Sequence, residues 1–296
     1  MQKTFSFIFC FISISAAAQS LQKMNADLMV SDAGTRYNDT SAHVQVIDFR
    51  MQFNLAKLKK SWLSGSFNVL HEGFSQFPVA YGSGLTGLTA GLSWNKRLGD
   101  HHVLVLSGTV AVYSDFHVLS SNAIREGFGF TYFTRYSKTL ALGLGVQYVN
   151  QFYGNQLLPV IVIVYTLKDN PHWKISGYFP YNPKITYAVN ANSGISFGIR
   201  QVFSSFLLSA PVNAGDYIKN RKLTTLLNYE YNLDKHWRIN AGAGYVVQQK
   251  YQLYNNKDSG EWWLLNTPLG HNPAPVQSIS HGGIQFNIGI AFNPKF

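Results

Sequence analysis

Hydrophobic and polar residues alternate along most of the chain with a period of two. Residues 45–55 show this most clearly, because every second side chain there is apolar and the intervening ones are polar or charged. The apolar row is Ile47, Phe49, Met51, Phe53 and Leu55, and the polar row is Asp48, Arg50, Gln52 and Asn54. A period of two is that of a β-strand with one apolar and one polar face, whereas a helix would mix these residues on all sides. We therefore predict a strand over residues 45–55.

The same alternation returns in a series of segments separated by turn-forming residues. Apolar rows occur within residues 63–69, 88–94, 128–132, 140–148, 223–231, 237–245 and 284–292. Counting a first strand at residues 24–30 and a short hairpin through Pro180 and Pro183, we predict about fourteen strands. The alternative is about twelve, if the first strand or that hairpin does not form.

The predicted connections alternate between short and long. Tight turns are expected at residues 58–60, 98–101, 137–139, 168–171, 190–193 and 233–235, and longer connections at residues 31–42, 72–84, 114–124, 210–221 and 254–280. Outer-membrane barrels have short periplasmic turns and longer outer loops. We therefore expect the tight turns in the periplasm, where an even number of strands also brings both termini.

Composition supports a membrane protein that crosses with strands. Charged residues make up only 13% of the chain and aromatic residues 15%, whereas soluble domains carry about 25% charged residues. The longest apolar candidate, residues 157–167, contains Pro159 and falls short of the roughly 20 residues of a spanning helix. Since transmembrane barrels hide their hydrophobicity in alternation, we predict an all-β fold, a transmembrane antiparallel up-and-down β-barrel. A soluble β-sandwich is the alternative.

The first nineteen residues are organised as a cleaved signal peptide. Lys3 precedes an apolar run over residues 4–14, and Ala16 and Ala18 then occupy the small-residue positions that signal peptidase requires. We predict cleavage after Ala18 or Gln19, with residues 20–296 forming the barrel, and export to the outer membrane of a Gram-negative bacterium. Cys10, the one cysteine, would be removed with this peptide, so we expect no disulfide or thiolate metal site.

Charged side chains of the predicted strands fall on the polar parity, which faces the lumen of a barrel. These lumen-lining candidates are Asp27, Asp48, Arg50, Arg135, Lys174, Lys184, Arg200, Glu230, Arg238 and Lys250. A cation facing lipid near the midplane would cost about 2–4 kcal/mol. Lys96 and Glu126 have the apolar parity, but at strand ends, where a side chain can reach the headgroups.

The charge balance narrows the expected partners. The chain has 24 Lys and Arg against 14 Asp and Glu, a formal net charge of +10. A signal peptide argues against nucleic acid as the partner, and lumen cations or contact with anionic lipid headgroups accounts for the basic balance. We expect either a narrow pore that favours anions, or a closed interior held by pairs such as Arg50 with Asp48 or Glu230.

Two aromatic features lie near the C-terminus. The last predicted strand is amphipathic and its apolar row continues to Phe296, which is similar to the signal that barrel-assembly machinery recognises. Trp262 and Trp263 lie beside Glu261 in the longest predicted outer loop. Because long loops are often functional, both tryptophans are candidates for contacting a sugar or hydrophobic ligand; alternatively, the loop only caps the barrel.

Several stretches together resemble a known family. They are VIDFRMQFNL, GLSWNKRLGDHHVLVLSG, LALGLGVQYV followed by LLPVIVIVYTL, HWKISGYFP with KITYAVN, and the closing GIQFNIGIAFNPKF, which together span most of residues 44–296. The chain resembles an uncharacterised outer-membrane barrel family of Bacteroidota, domain of unknown function 6268. The resemblance implies the barrel fold and the location, and it brings no catalytic or binding residues.

Catalytic and metal chemistry are not indicated. Ser196 is the one serine with a G-x-S-x-G sequence, at residues 194–198, but no predicted helix follows it, as a nucleophile elbow requires. The adjacent His101 and His102 would point to opposite faces of a strand. We therefore predict no enzyme activity, cofactor or metal.

The expected function is passive passage or binding of small, including anionic, solutes. The first alternative is a structural or interaction barrel whose outer loops dock surface or secreted partners, and the least favoured is a barrel hydrolase. The expected partners are outer-membrane lipid, the barrel-assembly machinery and a small solute.

Overall fold

The computed structural model describes residues 24–37, 40–118, 120–209, 213–255, 261–271 and 273–292. These residues form sixteen strands and two short 3-10 helices. The strands are β1 (Met24–Tyr37), β2 (Thr40–Leu58), β3 (Ser61–Ser75), β4 (Gly84–Arg97), β5 (His102–Ser114), β6 (Ile124–Arg135), β7 (Leu140–Gln151), β8 (Gly154–Thr166), β9 (Trp173–Phe179), β10 (Asn182–Ala188), β11 (Ser193–Leu207), β12 (Tyr217–Asn232), β13 (Trp237–Tyr254), β14 (Glu261–Leu264), β15 (Thr267–Pro268) and β16 (Gln277–Phe292). Among the described residues, no helix is long and apolar enough to cross a membrane.

Fourteen of these strands form a closed antiparallel barrel, which confirms the predicted fold and strand number. β1 to β13 pair in chain order, and β16 follows β13 in the wall. Closure occurs at β1, where Val30 lies opposite Ile47 of β2 on one side and opposite Ile288 of β16 on the other. The remaining strands, β14 and β15, form a small hairpin beside β8.

The two faces of the wall differ as the alternation predicts. On β16, Ile284, Phe286, Ile288 and Ile290 are 39–65% exposed on the outside, while Gln285 and Asn287 between them are buried inside. Similar exposed apolar rows occur on β6, β11 and β13. In a soluble sandwich such rows would be buried between two layers. Because they encircle a closed cylinder instead, the wall is that of a membrane-spanning barrel.

The two ends of the barrel differ in the connections between strands that they hold. The turn end holds Met24 and Phe292 and the connections that follow β2, β4, β6, β8, β10 and β12, and the loop end is the opposite one. The tight turns predicted from sequence all lie at the turn end.

The predicted long loop over residues 31–42 is wrong. β1 runs to Tyr37 and β2 begins at Thr40, and the two strands pair over this whole stretch. The polar and small residues there look like a loop in sequence, because a strand pair that extends beyond the apolar belt no longer needs apolar alternation.

Two sequence predictions lie outside the described residues. They are the signal peptide over residues 1–19 and the assembly signal at Phe296.

Candidate functional site in the barrel lumen

A cavity of about 520 Å³ occupies the middle of the lumen. Its lining includes Asp48, Arg50, Glu72, Gln147, Arg200 and Lys222, which come from five different strands. Pockets that hold small organic ligands have volumes of about 300–1,000 Å³. The lumen is therefore neither an open water channel throughout nor fully packed.

Asp48 is the centre of the first charged cluster in this cavity. Its side chain is 3% exposed and accepts hydrogen bonds from both arginines and from Asn68. The Arg50 Nε lies 3.0 Å from Oδ1 and its terminal nitrogen contacts Oδ2, Arg200 donates to Oδ2 at 2.6 Å, and the Asn68 amide donates to Oδ1 at 2.8 Å. The carboxylate is thus satisfied on both oxygens, as a buried charge requires.

Strand geometry explains how these groups meet. Asp48 and Arg50 are two residues apart on β2, so both point to the same face, and Asn68 of β3 lies directly opposite Arg50. Arg200 comes from β11, a strand that is not adjacent to β2 in the wall. Closure of the barrel therefore brings this arginine across the lumen to Asp48.

A second cluster around Glu72 was missed by the sequence analysis, which assigned this residue to a loop. Glu72 is 3% exposed and lies on β3 with the same parity as Asn68. The Asn220 amide donates to both carboxylate oxygens at 2.9 and 3.0 Å, and the Tyr251 hydroxyl donates at 2.9 Å. Lys222, also buried, lines the same cavity two residues from Asn220. The sequence signal that could have identified Glu72 is the period of two along β3, which places Glu72 on the same face as Asn68.

A third cluster lies nearer the turn end. Glu230 of β12 accepts from Lys184 of β10 at 3.2 Å and from Arg238 of β13 at 3.1 Å. The partner of Glu230 is therefore not Arg50, which the structure pairs with Asp48. Arg135 and Lys174 are exposed residues at the turn-end limits of β6 and β9, so they flank the mouth of the lumen. Asp27 of β1 lies opposite Arg50 in the wall.

Lys250 does not line the lumen, so this prediction is wrong. The pairing of β13 with β16 shifts between Val246 and Gln249, which marks a β-bulge. One extra residue reverses the inward parity of the rest of the strand. As a result Tyr251 points into the interior, while Lys250 lines a separate cavity of about 340 Å³ beneath the connection from β13 to β16.

The loop-end half of the lumen is filled by a hydrophobic core. Its members come from the wall, from the β3–β4 connection and, at Leu208, from the β11–β12 connection. They are Val44, Val46, Tyr81, Leu85, Phe206, Leu208, Ile218, Tyr251, Leu253 and Ile279. Tyr81 belongs to a 3-10 helix (Val79–Tyr81) that folds inward, and Phe77 of the same connection packs on Phe74 with ring centroids 4.6 Å apart. This connection therefore closes the lumen from the loop end.

The two candidate tryptophans point in different directions. Trp263 is buried, contacts Tyr153 with centroids 5.1 Å apart, and lies 3.5 Å from the Lys219 ammonium. Trp262 is exposed and lies beside Tyr148 on the outer side of the wall. Trp263 thus helps to cap the barrel, and the two rings do not share a ligand site.

The closed wall, apolar exterior and charged lumen define a membrane-spanning β-barrel with a solute-sized internal cavity. Residues 18–261 match a family described as a domain of unknown function, DUF6268. Since this match covers more than half of the chain, the protein belongs to that family. No curated protein is significantly similar to the chain in sequence.

Several solved structures have a similar arrangement of strands. They include the COG4313 outer membrane channel from Pseudomonas putida F1 (9% identity, 93% of this chain and 96% of that chain, TM-score 0.48). The NanC porin (10%, 90% and 98%, 0.39) and the Pseudomonas putida toluene transporter TodX (8%, 93% and 89%, 0.38) also match. At these identities the likeness concerns the barrel architecture alone.

Proposed function

We propose that this protein is an outer-membrane barrel that binds small solutes in its lumen and passes them across the membrane, with a preference for solutes carrying one anionic group. The observation that carries the proposal is the cavity of about 520 Å³ beside the Asp48 cluster. A closed and fully packed interior would serve stability alone, whereas this one leaves space for a solute among charged side chains.

The charges around the cavity favour an anion. Arg50, Arg200 and Lys222 line it, against Asp48 and Glu72. A guanidinium has five N–H donors, and Asp48 uses only some of those on the two arginines. Arg50 is half exposed, so its free edge can receive a carboxylate, sulfonate or phosphate in the forked geometry that suits arginine.

We further propose that the turn end faces the periplasm and the loop end the exterior of a Gram-negative cell. Outer-membrane lipid and the barrel-assembly machinery are the proposed partners, together with the solute, and nucleic acid is not among them. Origin in the Bacteroidota and the absence of enzyme activity remain predictions.

Flux into proteoliposomes tests the proposal. Benzenesulfonate and benzyltrimethylammonium are of similar size and opposite, permanent charge, so lipid alone passes both slowly. We expect benzenesulfonate to enter severalfold faster than the cation, and R50Q and R200Q to reduce this preference because each removes a lumen cation. K96Q is the matched control, since Lys96 is exposed on the outward parity of β4, with its ammonium over the Trp94 ring. Benzenesulfonate entry at the rate of protein-free vesicles would contradict the proposal.

One observation favours a second candidate, a structural or docking barrel without transport. The core at the loop end fills the lumen there, and such a barrel would present its outer loops to surface or secreted partners. Under this alternative neither probe enters faster than through lipid, and the lumen charges only hold the wall together.

A further inference from the structure

β9 and β10 are too short to cross the membrane. Each has seven residues, whereas β6 and β7, the next shortest barrel strands, have 12. A barrel strand needs about 9–11 residues to traverse the hydrocarbon layer. Because this hairpin starts at the turn end, its tip at residues 180–181 lies within the depth of the membrane.

The strands on either side of the hairpin are left with bare edges above its tip. β8 pairs with β9 only from Ile161 to Thr166, and with β14 only from Gly154 to Leu157. β11 pairs with β10 only from Gly194 to Gly198. In the described part of the chain, residues 158–160 of β8 and 202–206 of β11 therefore have no strand partner on the edges that β9 and β10 occupy nearer the turn end. The next residue of β11, Leu207, pairs with Ser114 of β5.

These edges frame a gap that we call the wall opening. Its floor is the β9–β10 tip, where the Tyr181 carbonyl accepts from the Gln201 amide at 2.7 Å. Its roof is the β14–β15 hairpin and the β7–β8 tip, where the Phe152 amide donates to the Ser205 hydroxyl at 2.9 Å. The opening is thus bounded on four sides by the protein.

The sequence builds this interruption. Pro159 lies in the bare part of β8 and Pro180 and Pro183 flank the hairpin tip; proline has no N–H to donate and is confined to strand edges. Gly177 has a φ of +132°, and a Cβ there would lie 2.0 Å from the Asn182 carbonyl oxygen. These residues are typical of a short, tightly turned hairpin beside a strand edge that lacks a partner.

The lumen cavity reaches the wall opening. Gln201 and Phe203 have the outward parity of β11, the parity of the lipid-facing Phe197 and Ile199. Both nevertheless line the same cavity as Asp48 and Arg200. Tyr178 and Tyr181 of the hairpin line it too. In an intact wall, outward and inward side chains of one strand could not border one cavity.

The opening lies at the level of the apolar exterior. Pro159 pairs with Val146 of β7, and Leu157 one step nearer the loop end pairs with Tyr148. Val146 is exposed on the outer surface, as are Phe128 and Trp262, whose rings lie beside Tyr148. Apolar surface thus continues past the bare edge of β8, so the opening faces lipid acyl chains.

We propose that amphipathic molecules dissolved in the membrane enter the lumen sideways, through the wall opening. The loop-end core closes the axial route, and the lining changes from Leu158, Tyr181 and Phe203 at the wall to Arg200 within. This gradient suits a molecule with an apolar body and an anionic end. The inference rests on the proposed function for the cavity as destination.

Labelling of a lumen cysteine tests the route independently of solute flux. Gln147 lines the cavity from β7, and Q147C is placed in a chain carrying C10S. In phospholipid vesicles, N-pyrenylmaleimide reaches this thiol from the lipid, and 2-sulfonatoethyl methanethiosulfonate reaches it from water. Q201W fills the wall opening, whereas F197W is the matched control on the same outward face, where Phe197 pairs with Ile185 and the wall is complete.

We expect Q201W to slow labelling by N-pyrenylmaleimide at least tenfold, with F197W at the parent rate and the water-soluble reagent unaffected in both. P159W, on the opposite edge, reproduces the result if Q201W does not fold. Equal pyrenylmaleimide rates in Q201W and F197W overturn the lateral route, as does an equal loss with both reagents. If labelling behaves as expected but benzenesulfonate flux is absent, the route stands and the proposed transport function fails.

Discussion

The two ends of the barrel are held by different kinds of contact. At the turn end, local hydrogen bonds hold a connection between strands: the Asp234 carboxylate accepts from the amides of His236 and Trp237, both at 2.7 Å. At the loop end they join distant parts of the chain, since Glu72 accepts from Asn220 and Tyr251, which are 148 and 179 residues away.

The two kinds of contact have different structural roles in the same barrel wall. Local turns join neighbouring strands and leave the lumen mouth lined by exposed charges. Long-range contacts fill the loop-end interior as in the core of a soluble domain, with aromatic rings packed in close contact. The barrel is therefore open toward the turn end and closed toward the loop end. The entrance that we propose for a molecule dissolved in the membrane is neither end, but the wall opening.

Removing the inward-folding β3–β4 connection should have the largest effect. Replacing residues 76–83 by Asn-Gly removes Phe77 and Tyr81 from the loop-end core. Gly73 pairs with Gly84, so residues 74–75 with Asn-Gly form a four-residue connection, a common hairpin length. We expect single-channel conductance in planar bilayers to rise at least tenfold, because water and ions then enter from the loop end.

The matched control shortens a turn-end connection in the same way. Replacing residues 98–101 by Asn-Gly should leave conductance at the parent level, since no core residue lies there. Unchanged conductance in the residues 76–83 variant would contradict the assignment of the β3–β4 connection as the closure.

The clusters around Asp48 and Glu230 should contribute differently to the stability of the barrel, because they are buried to different extents. Asp48 is 3% exposed and Glu230 is 23% exposed. Breaking a buried ion pair by removing one partner costs about 3–5 kcal/mol, whereas exposed pairs contribute about 0–1 kcal/mol. We expect D48A to lower the free energy of unfolding by about 3 kcal/mol and E230A by about 1 kcal/mol or less, measured by urea unfolding in lipid vesicles.

A second substitution checks the cause. In D48A, Arg50 and Arg200 lose their shared carboxylate, so adding R200M should recover part of the lost stability. Equal effects of D48A and E230A would mean that water screens both clusters alike, and the distinction between mid-lumen and turn end would fail.

Alternation along single strands accounts for what the sequence predicted. The fold class, the strand number and the outward row on β16 depend on parity within one segment. The Asp48–Arg50 pair was predictable for the same reason, since residues two apart on a strand share a face.

What the sequence could not predict depends on closure and on irregular backbone. Arg200 reaches Asp48 over 152 residues, a contact that exists only once the barrel has formed. The bulge in β13 reverses the parity of Lys250 without a marker in the residue pattern. Pro180 and Pro183 indicated a short hairpin, but only the pairing of β8 and β11 shows that the wall is left open there.

The smallest effect is expected at the turn end, from one carboxylate. The backbone N–H groups of Trp237 and His236 hold the pKa of Asp234 below its usual value of 3.8, because they donate to its ionised form. A lowered pKa means that this contribution to stability is complete above the unfolded-state pKa and is lost as the pH falls through the folded-state value. A ¹³C NMR titration of the Asp234 carboxyl should therefore give a midpoint below 3.8.

The matched variant is D234N, which keeps an acceptor oxygen for the turn but cannot titrate. Its unfolding free energy should therefore fall less than that of the parent between pH 4 and pH 2, roughly the range over which such carboxylates protonate. A midpoint at or above 3.8, or identical acid dependence of the two proteins, would show that the turn is not held by these local hydrogen bonds.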